Sequence, residues 1–367
     1  MNVKKIVGNG ARLLICLLLL LWIFHSIFMH QGQTEAKRSG INWAGLTRAE
    51  QWHLAWTHGP RDLWGTICQV HGWALALSVA AQGGVLWVGV VRWRLVLESQ
   101  GLDLSLGRAT RISLVAQFFN SFLLGSTGGD LFKAYYAARE THHKKTEAVT
   151  TVFVDRLVGL WSMLFFAGMM MAPNVPILLK HPELGASALM IASMLVVLTI
   201  MLYLAFWGGV SKRFPKARHY LRRLPKAALL EKSLDSCRTF GKEKSLLFKV
   251  VLLSLVVNIL MVLQIAILGW GMDLTIPFTA LLMIVPIIAC ISAVPITPGG
   301  LGLRENLYVV MLGVVAVAPT PALSVSLLAS AEGLFWSLVG GVVYMAAREK
   351  EHLAEVKAET AEPDPAA

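Results

Sequence analysis

Apolar residues along this chain gather into runs of about twenty, the length of a helix that crosses a bilayer. Short polar stretches separate them. The pattern predicts spans at 13–29, 73–91, 148–172, 184–207, 250–272, 276–294 and 322–347, with a shorter apolar segment at 307–318. One further element, 112–138, is broken. Its first part, 112–125, is too short to cross unless tilted into a thinned bilayer. Two glycines, an aspartate and a lysine then interrupt it, in the stretch NSFLLGSTGGDLFKAYY. A re-entrant hairpin with its tip at 126–129 is the natural solution, because irregular backbone at that depth must be buried in protein or face a wet cavity.

A second passage, ISAVPITPGGLGLREN at 291–306, reads alike. Ser121 precedes Gly128-Gly129 by seven residues, and Ser292 precedes Gly299-Gly300 by the same seven. Charges follow both: Asp130 and Lys133 in the first, Arg304 and Glu305 in the second. Counted from the predicted spans, one passage is entered from the cytoplasmic side and the other from outside. Interrupted segments at matching places in two oppositely oriented halves are the mark of an inverted-repeat transporter. The expected architecture is an all-α polytopic membrane protein with about seven to nine transmembrane or re-entrant segments. It is one membrane domain, 1–347, with halves at 66–207 and 248–347, a basic loop at 208–247 and a charged tail at 348–367.

Composition agrees. Charged residues are 15% of the chain, against about 25% in soluble domains, and the polar stretches at 31–61 and 211–249 are too short for a soluble domain. The stretch 211–249 holds 12 of the 33 basic residues and is therefore expected on the cytoplasmic side. Arg92, Arg94, Arg108 and Arg111 are read as marking another cytoplasmic loop. Lys4, Lys5 and Arg12 place the N-terminus inside, ahead of a first helix expected to remain uncleaved. The C-terminus is expected inside, and 31–61 faces outward. The net charge of +11 mostly reflects this bias and favours anionic headgroups. Basic residues spread along membrane borders exclude a nucleic-acid partner. Cys16, Cys68, Cys237 and Cys290 show no paired spacing, which fits neither a disulfide framework nor a zinc site. No phosphate loop, nucleophile elbow or metal motif is present, so no cofactor is expected.

The candidate chemistry lies at the breaks. A helix that restarts after a double glycine offers unpaired N–H groups and a positive dipole end, suited to phosphate. Asp130 capping its own helix is the alternative, as is Lys133 reaching to the cytoplasmic surface. Asp155 and Arg156 stand inside an apolar span, where charge is costly and functional by default. Being adjacent, they point about 100° apart, and Arg156 is paired with Asp130 in this reading. Glu332 is a further intramembrane acid. Internal pairing that only holds helices together is the competing account. Trp93, Trp207 and Trp270 read as interfacial anchors, and Asn258 and Gln264 as bonds to neighbouring helices.

RWRLVLESQG (92–101), FFNSFLLGSTGGDLFKAYY (118–136), VFVDRLVGL (152–160) and PITPGGLGLREN (295–306) occur in that order. Together they resemble the lysylphosphatidylglycerol synthase transmembrane region family, over roughly 10–347. The resemblance implies a bacterial inner-membrane protein that moves lipid between leaflets. It also implies re-entrant elements. The soluble aminoacyl-transfer domain of the best understood members is not expected here, so neither is lipid aminoacylation. The motif's usual arginine is replaced by Lys133, which keeps the charge and loses the bidentate fork.

Gly128, Gly129, Asp130 and Lys133 are the expected first wall of a headgroup path. Pro298, Gly299, Gly300, Arg304 and Glu305 form the second, with Asp155 and Arg156 bracing it. The expected cargo is a lipid with a phosphate-bearing headgroup. A partner lipid- or glycan-synthesis enzyme and a homo-oligomer are the other partners considered. The expected activity is transport, not catalysis; an assembly-partner role and a lipid-modifying enzyme are the alternatives.

Overall fold

A computed structural model describes residues 21, 24–25, 27–29, 32–33, 35–37, 39–122, 128–140, 145–175, 180, 182–206, 236–293, 300 and 302–361. Among them there are helices and no strand. In chain order these are α1 (Arg48–Cys68), α2 (Gly72–Glu98), α3 (Leu106–Phe122), α4 (Gly128–Glu140), α5 (Lys145–Met171), α6 (Pro182–Phe206), α7 (Lys244–Gly271), α8 (Phe278–Ser292), α9 (Leu303–Gly313) and α10 (Pro319–Ala361). Among the described residues, five helices are long and apolar enough to cross a membrane: α2, α5, α6, α7 and α10. This is an all-α polytopic membrane fold.

The element order repeats. A long helix, two half-helices and a second long helix make α2–α3–α4–α5, and again α7–α8–α9–α10, with α6 between them. The two leading helices, α2 and α7, lie side by side and run antiparallel. Ala74 meets Gly271, Gly84 meets Leu260, and the Arg92 guanidinium donates to Ser254 Oγ at 3.1 Å. Cross-contacts follow the same exchange: α3 lies on α10, and α8 lies on α5. Each half therefore seats its broken element on the last helix of the other half. Antiparallel placement of equivalent helices gives the halves opposite directions through the membrane.

The main core sits where α5, α6, α7, α8 and α9 converge, around Leu164, Leu268, Ile284 and Ile287. A second cluster joins α2 to the first hairpin through Trp93, Leu97, Ala109, Ile112, Ala137 and Val152. α6 lies at the outside, with Leu189, Val197 and Tyr203 exposed, as expected of a face toward lipid.

Three boundaries depart from the sequence reading. The outward stretch 31–61 was too polar for a span, yet most of it is helical. α1 opens on a capping box in which Thr47 N–H donates to Glu50 Oε2 at 2.7 Å and Glu50 N–H to Thr47 Oγ1 at 3.4 Å. The Thr47 hydroxyl, donating to Glu50 Oε2 at 2.7 Å, and then the Thr47 N–H hold the Glu50 carboxyl below the usual range. Trp52, Trp56 and Trp64, spaced by fours and eights, give α1 a narrow exposed aromatic stripe, a pattern a span-length window does not detect. The apolar segment 276–294 becomes the 15-residue half-helix α8, with Pro286 inside it. The tail after Ala347 continues α10 as helix to Ala361. Finally, most of 13–29 and of 208–247 lies outside the described residues. Cys68, Cys237 and Cys290 are free thiols, and burial pushes the Cys237 thiol up to about 11.

Candidate functional site

In the first hairpin, α4 folds back along α3. Phe132 stacks on Phe119 with ring centroids 3.7 Å apart, and Ala137 returns to the level of Ala109 and Ile112. Gly129 makes this possible. A Cβ there would run into the Ala116 carbonyl and the Asn120 amide, so only glycine fits the close approach. Asn120 Oδ1 accepts the Gly129 N–H at 2.8 Å, so a side chain from the preceding half-helix satisfies one donor at the start of α4. Gly128 opens that helix.

The charges past the break are held inside the protein. Asp130 Oδ2 meets Arg156 Nε at 2.6 Å, with Arg156 half exposed. This is the pairing read from the sequence. Asp155 takes two other cations: Arg92 Nε at 2.8 Å on Oδ1 and Lys133 Nζ at 3.5 Å on Oδ2. Lys133 does not reach the surface. Its side chain is 12% exposed, and its ammonium lies 4.2 Å from the ring centroid of Trp93, a cation–π contact. Trp93 is fully buried and is not an interfacial anchor; Trp270, 46% exposed, keeps that position. Trp207 lies outside the described residues.

Arg92 is the functional residue that sequence reasoning misplaced. Read as a loop charge, it instead points inward from α2 between Asp155 and Ser254. A Cβ on Gly159 would stand 3.0 Å from its guanidinium. The signal was available: a glycine one turn after Asp155, and an arginine next to a buried tryptophan, both inside quoted motifs.

In the second hairpin, Gly300 has φ of +74°, and a Cβ there would lie 3.3 Å from Ser292 Cβ. The second glycine of each pair thus rests on the end of the preceding half-helix. Glu305 is fully buried. Its Oε2 accepts the Gly302 N–H at 2.6 Å, capping α9, and its Oε1 faces Arg304 at 3.3 Å. Arg304 also donates to Ser330 of α10. Pro298 and Gly299 lie outside the described residues, as do Ser126, Thr127 and Thr297.

The structure therefore gathers Asp130, Lys133, Asp155 and Arg156 into one group and Arg304 with Glu305 into another. Arg92 ties the first group to the second half through Ser254. Of the polar pair on α7, Gln264 bonds Glu332 of α10. Asn258 instead donates to the Ser254 carbonyl in its own helix at 2.8 Å.

A family model described as Lysylphosphatidylglycerol synthase TM region matches residues 43–340. The chain belongs to this family. The matched stretch includes both hairpins and every charged group named above. The chain is also similar to a UPF0104 membrane protein of Methanothermobacter thermautotrophicus, 22% identical over 281 residues, covering 71% of this chain and 81% of that relative. Membership accounts for the order of the four motifs and for a polytopic membrane architecture.

Proposed function

We propose that this protein moves a lipid with a phosphate-bearing headgroup between the leaflets of a bacterial inner membrane, with both termini in the cytoplasm. The observation that carries this reading is a surplus of positive charge on one buried acid beside the first hairpin: Arg92 and Lys133 both meet Asp155. Asp155 lies near the middle of α5. An anionic headgroup would balance that surplus at a depth where lipid tails cannot.

The geometry suggests which cation does so. Asp155 is held closely by Arg92 at 2.8 Å and more loosely by Lys133 at 3.5 Å. Lys133 can turn to a phosphate oxygen while Asp155 keeps a partner. In the other half Arg304 occupies the matching place, four residues after the second glycine, and Ser330 holds it toward α10. Each hairpin is seated on the other half, so a small rotation between halves would open one wall as it closes the other. The acyl chains would remain in lipid.

The test uses purified protein in liposomes, with labelled lipids scored for leaflet and for intact mass. Movement with unchanged mass is expected. Lys133→Ala should slow it about tenfold or more, the worth of one charge-assisted hydrogen bond. Changed lipid mass would instead point to an enzyme. Neither change, with folded protein and a broad lipid set, would favour an assembly partner of a lipid or glycan synthase.

A further inference from the structure

We propose that Glu332 is a proton-binding site that couples lipid movement to the proton gradient, an inference that rests on the translocation reading above. Glu332 lies on α10 at 2% exposure, inside the stretch Pro319–Ala346 that is long and apolar enough to span. Its two oxygens meet neutral partners: Oε2 accepts from Gln264 Nε2 of α7 at 2.5 Å, and Oε1 contacts Ser78 Oγ of α2.

Hydrogen bonding and burial together favour a protonated Glu332. Ser78 Oγ also lies 3.0 Å from the Leu75 carbonyl. A serine hydroxyl has one hydrogen to give. With that hydrogen on the carbonyl, Ser78 must accept from Glu332, and Glu332 must carry the proton. The other arrangement leaves a carboxylate buried with only neutral donors, the costlier state inside a membrane.

The charged groups on the surrounding elements are otherwise engaged or remote along their helices. On α9, Glu305 caps its own helix and pairs with Arg304. On α2, the His71 ring bonds the Gly271 carbonyl at 2.8 Å, and Arg92 bonds Asp155. Arg94 and Glu98 on α2, Arg48, Glu50, Arg61 and Asp62 on α1, Arg108 and Arg111 on α3, and Lys244 and Lys249 on α7 complete the charges of these helices. Among the described residues none forms a hydrogen bond or ion pair with Glu332.

The position gives the proton a task. Gln264 and Glu332 belong to the second half and Ser78 to the first, so the Glu332–Ser78 bond crosses between halves. When the acid's O–H bond breaks, water carries the proton to one side and a carboxylate is left buried among neutral groups, the costlier state. Parting of the halves lets water reach it, and a proton taken from the other side restores the neutral contact. One proton moves per cycle.

Two measurements test this. Infrared difference spectra, wild type minus Glu332→Gln at neutral pH, should contain a protonated-carboxyl band that shifts in deuterium oxide. Its absence would overturn the proposal. The second uses vesicles of phosphatidylethanolamine and phosphatidylglycerol with a trace of fluorescent phosphatidylglycerol. One pH unit across the membrane should shift its leaflet ratio about tenfold in the wild type. Glu332→Gln, whose amide keeps a permanent donor toward Ser78, should hold the halves together and slow lipid movement at any gradient, while Ser78→Ala, which keeps the carboxyl and removes the contact, should move lipid with a weaker response. Lipid movement indifferent to the gradient in the wild type would overturn the coupling and leave translocation standing. No movement at all would overturn translocation, and the coupling with it, while the infrared band would still report the Glu332 proton.

Discussion

The two hairpins have the same plan and different chemistry. Both consist of a half-helix, a double glycine and a second half-helix bearing a cation four residues on. The first leaves its helix start to Asn120 and sends Asp130 and Lys133 to partners on α5. The second caps itself with Glu305, and that same carboxylate neutralises Arg304. The buried acid beside the first hairpin thus carries two cations, and that of the second carries one. Backbone symmetry gives the two hairpins one plan, but their side chains distribute charge differently.

The sharpest way to break this comparison is Asp155→Asn. It leaves Arg92 and Lys133 facing each other without an acid, and loss of one partner from a buried pair costs about 3–5 kcal/mol. Thermal unfolding in detergent should fall steeply, and an unchanged midpoint would mean that the charges are solvated. Next comes Gly129→Ala, whose methyl would meet the Ala116 carbonyl. Overpacking of this kind costs about 1–3 kcal/mol and should pry the first hairpin apart. Loss of disulfide crosslinking between cysteines introduced at Phe119 and Phe132 would report it; full crosslinking would refute the tight approach.

Gly300→Ala should cost about 1–2 kcal/mol, because the main penalty is its left-handed backbone, with a milder contact on Ser292. An unchanged thermal midpoint would contradict the left-handed backbone at Gly300. Asp130→Asn should have the smallest effect on stability, about 0–1 kcal/mol, since Arg156 is half exposed and such pairs are screened. The same variant should nonetheless alter lipid movement in vesicles if the charge surplus matters. Unaltered movement would count against Asp130 as part of the path.

Particular residues show how far the sequence could be read. The spans of α2, α5, α6 and α7 follow from run length, because an apolar helix in lipid needs only to cover the hydrocarbon. The break at Gly128-Gly129 was legible because glycines and charges have no other place in such a run. The pairing of Arg156 with Asp130 was legible because Asp155 and Arg156, being adjacent, point about 100° apart and take separate partners. Arg92 was not, because an arginine near the end of an apolar run looks the same whether it turns out to the headgroups or inward to an acid. Glu332 was visible as a costly charge, but its neutral partners lie on two other helices. The Trp stripe of α1 was hidden by its low mean hydropathy.

By itself the sequence determined the membrane setting, the long apolar helices, the two breaks and the residues able to carry charge there. All of these are local consequences of hydrophobic length and backbone freedom. The tertiary structure decided which charges neutralise one another. It sets Asp155 between two cations and Glu332 between a hydroxyl and an amide. The physical reason is that charge in a membrane is governed by partners a few ångströms away in space, and antiparallel packing of α2 on α7 brings together residues far apart along the chain.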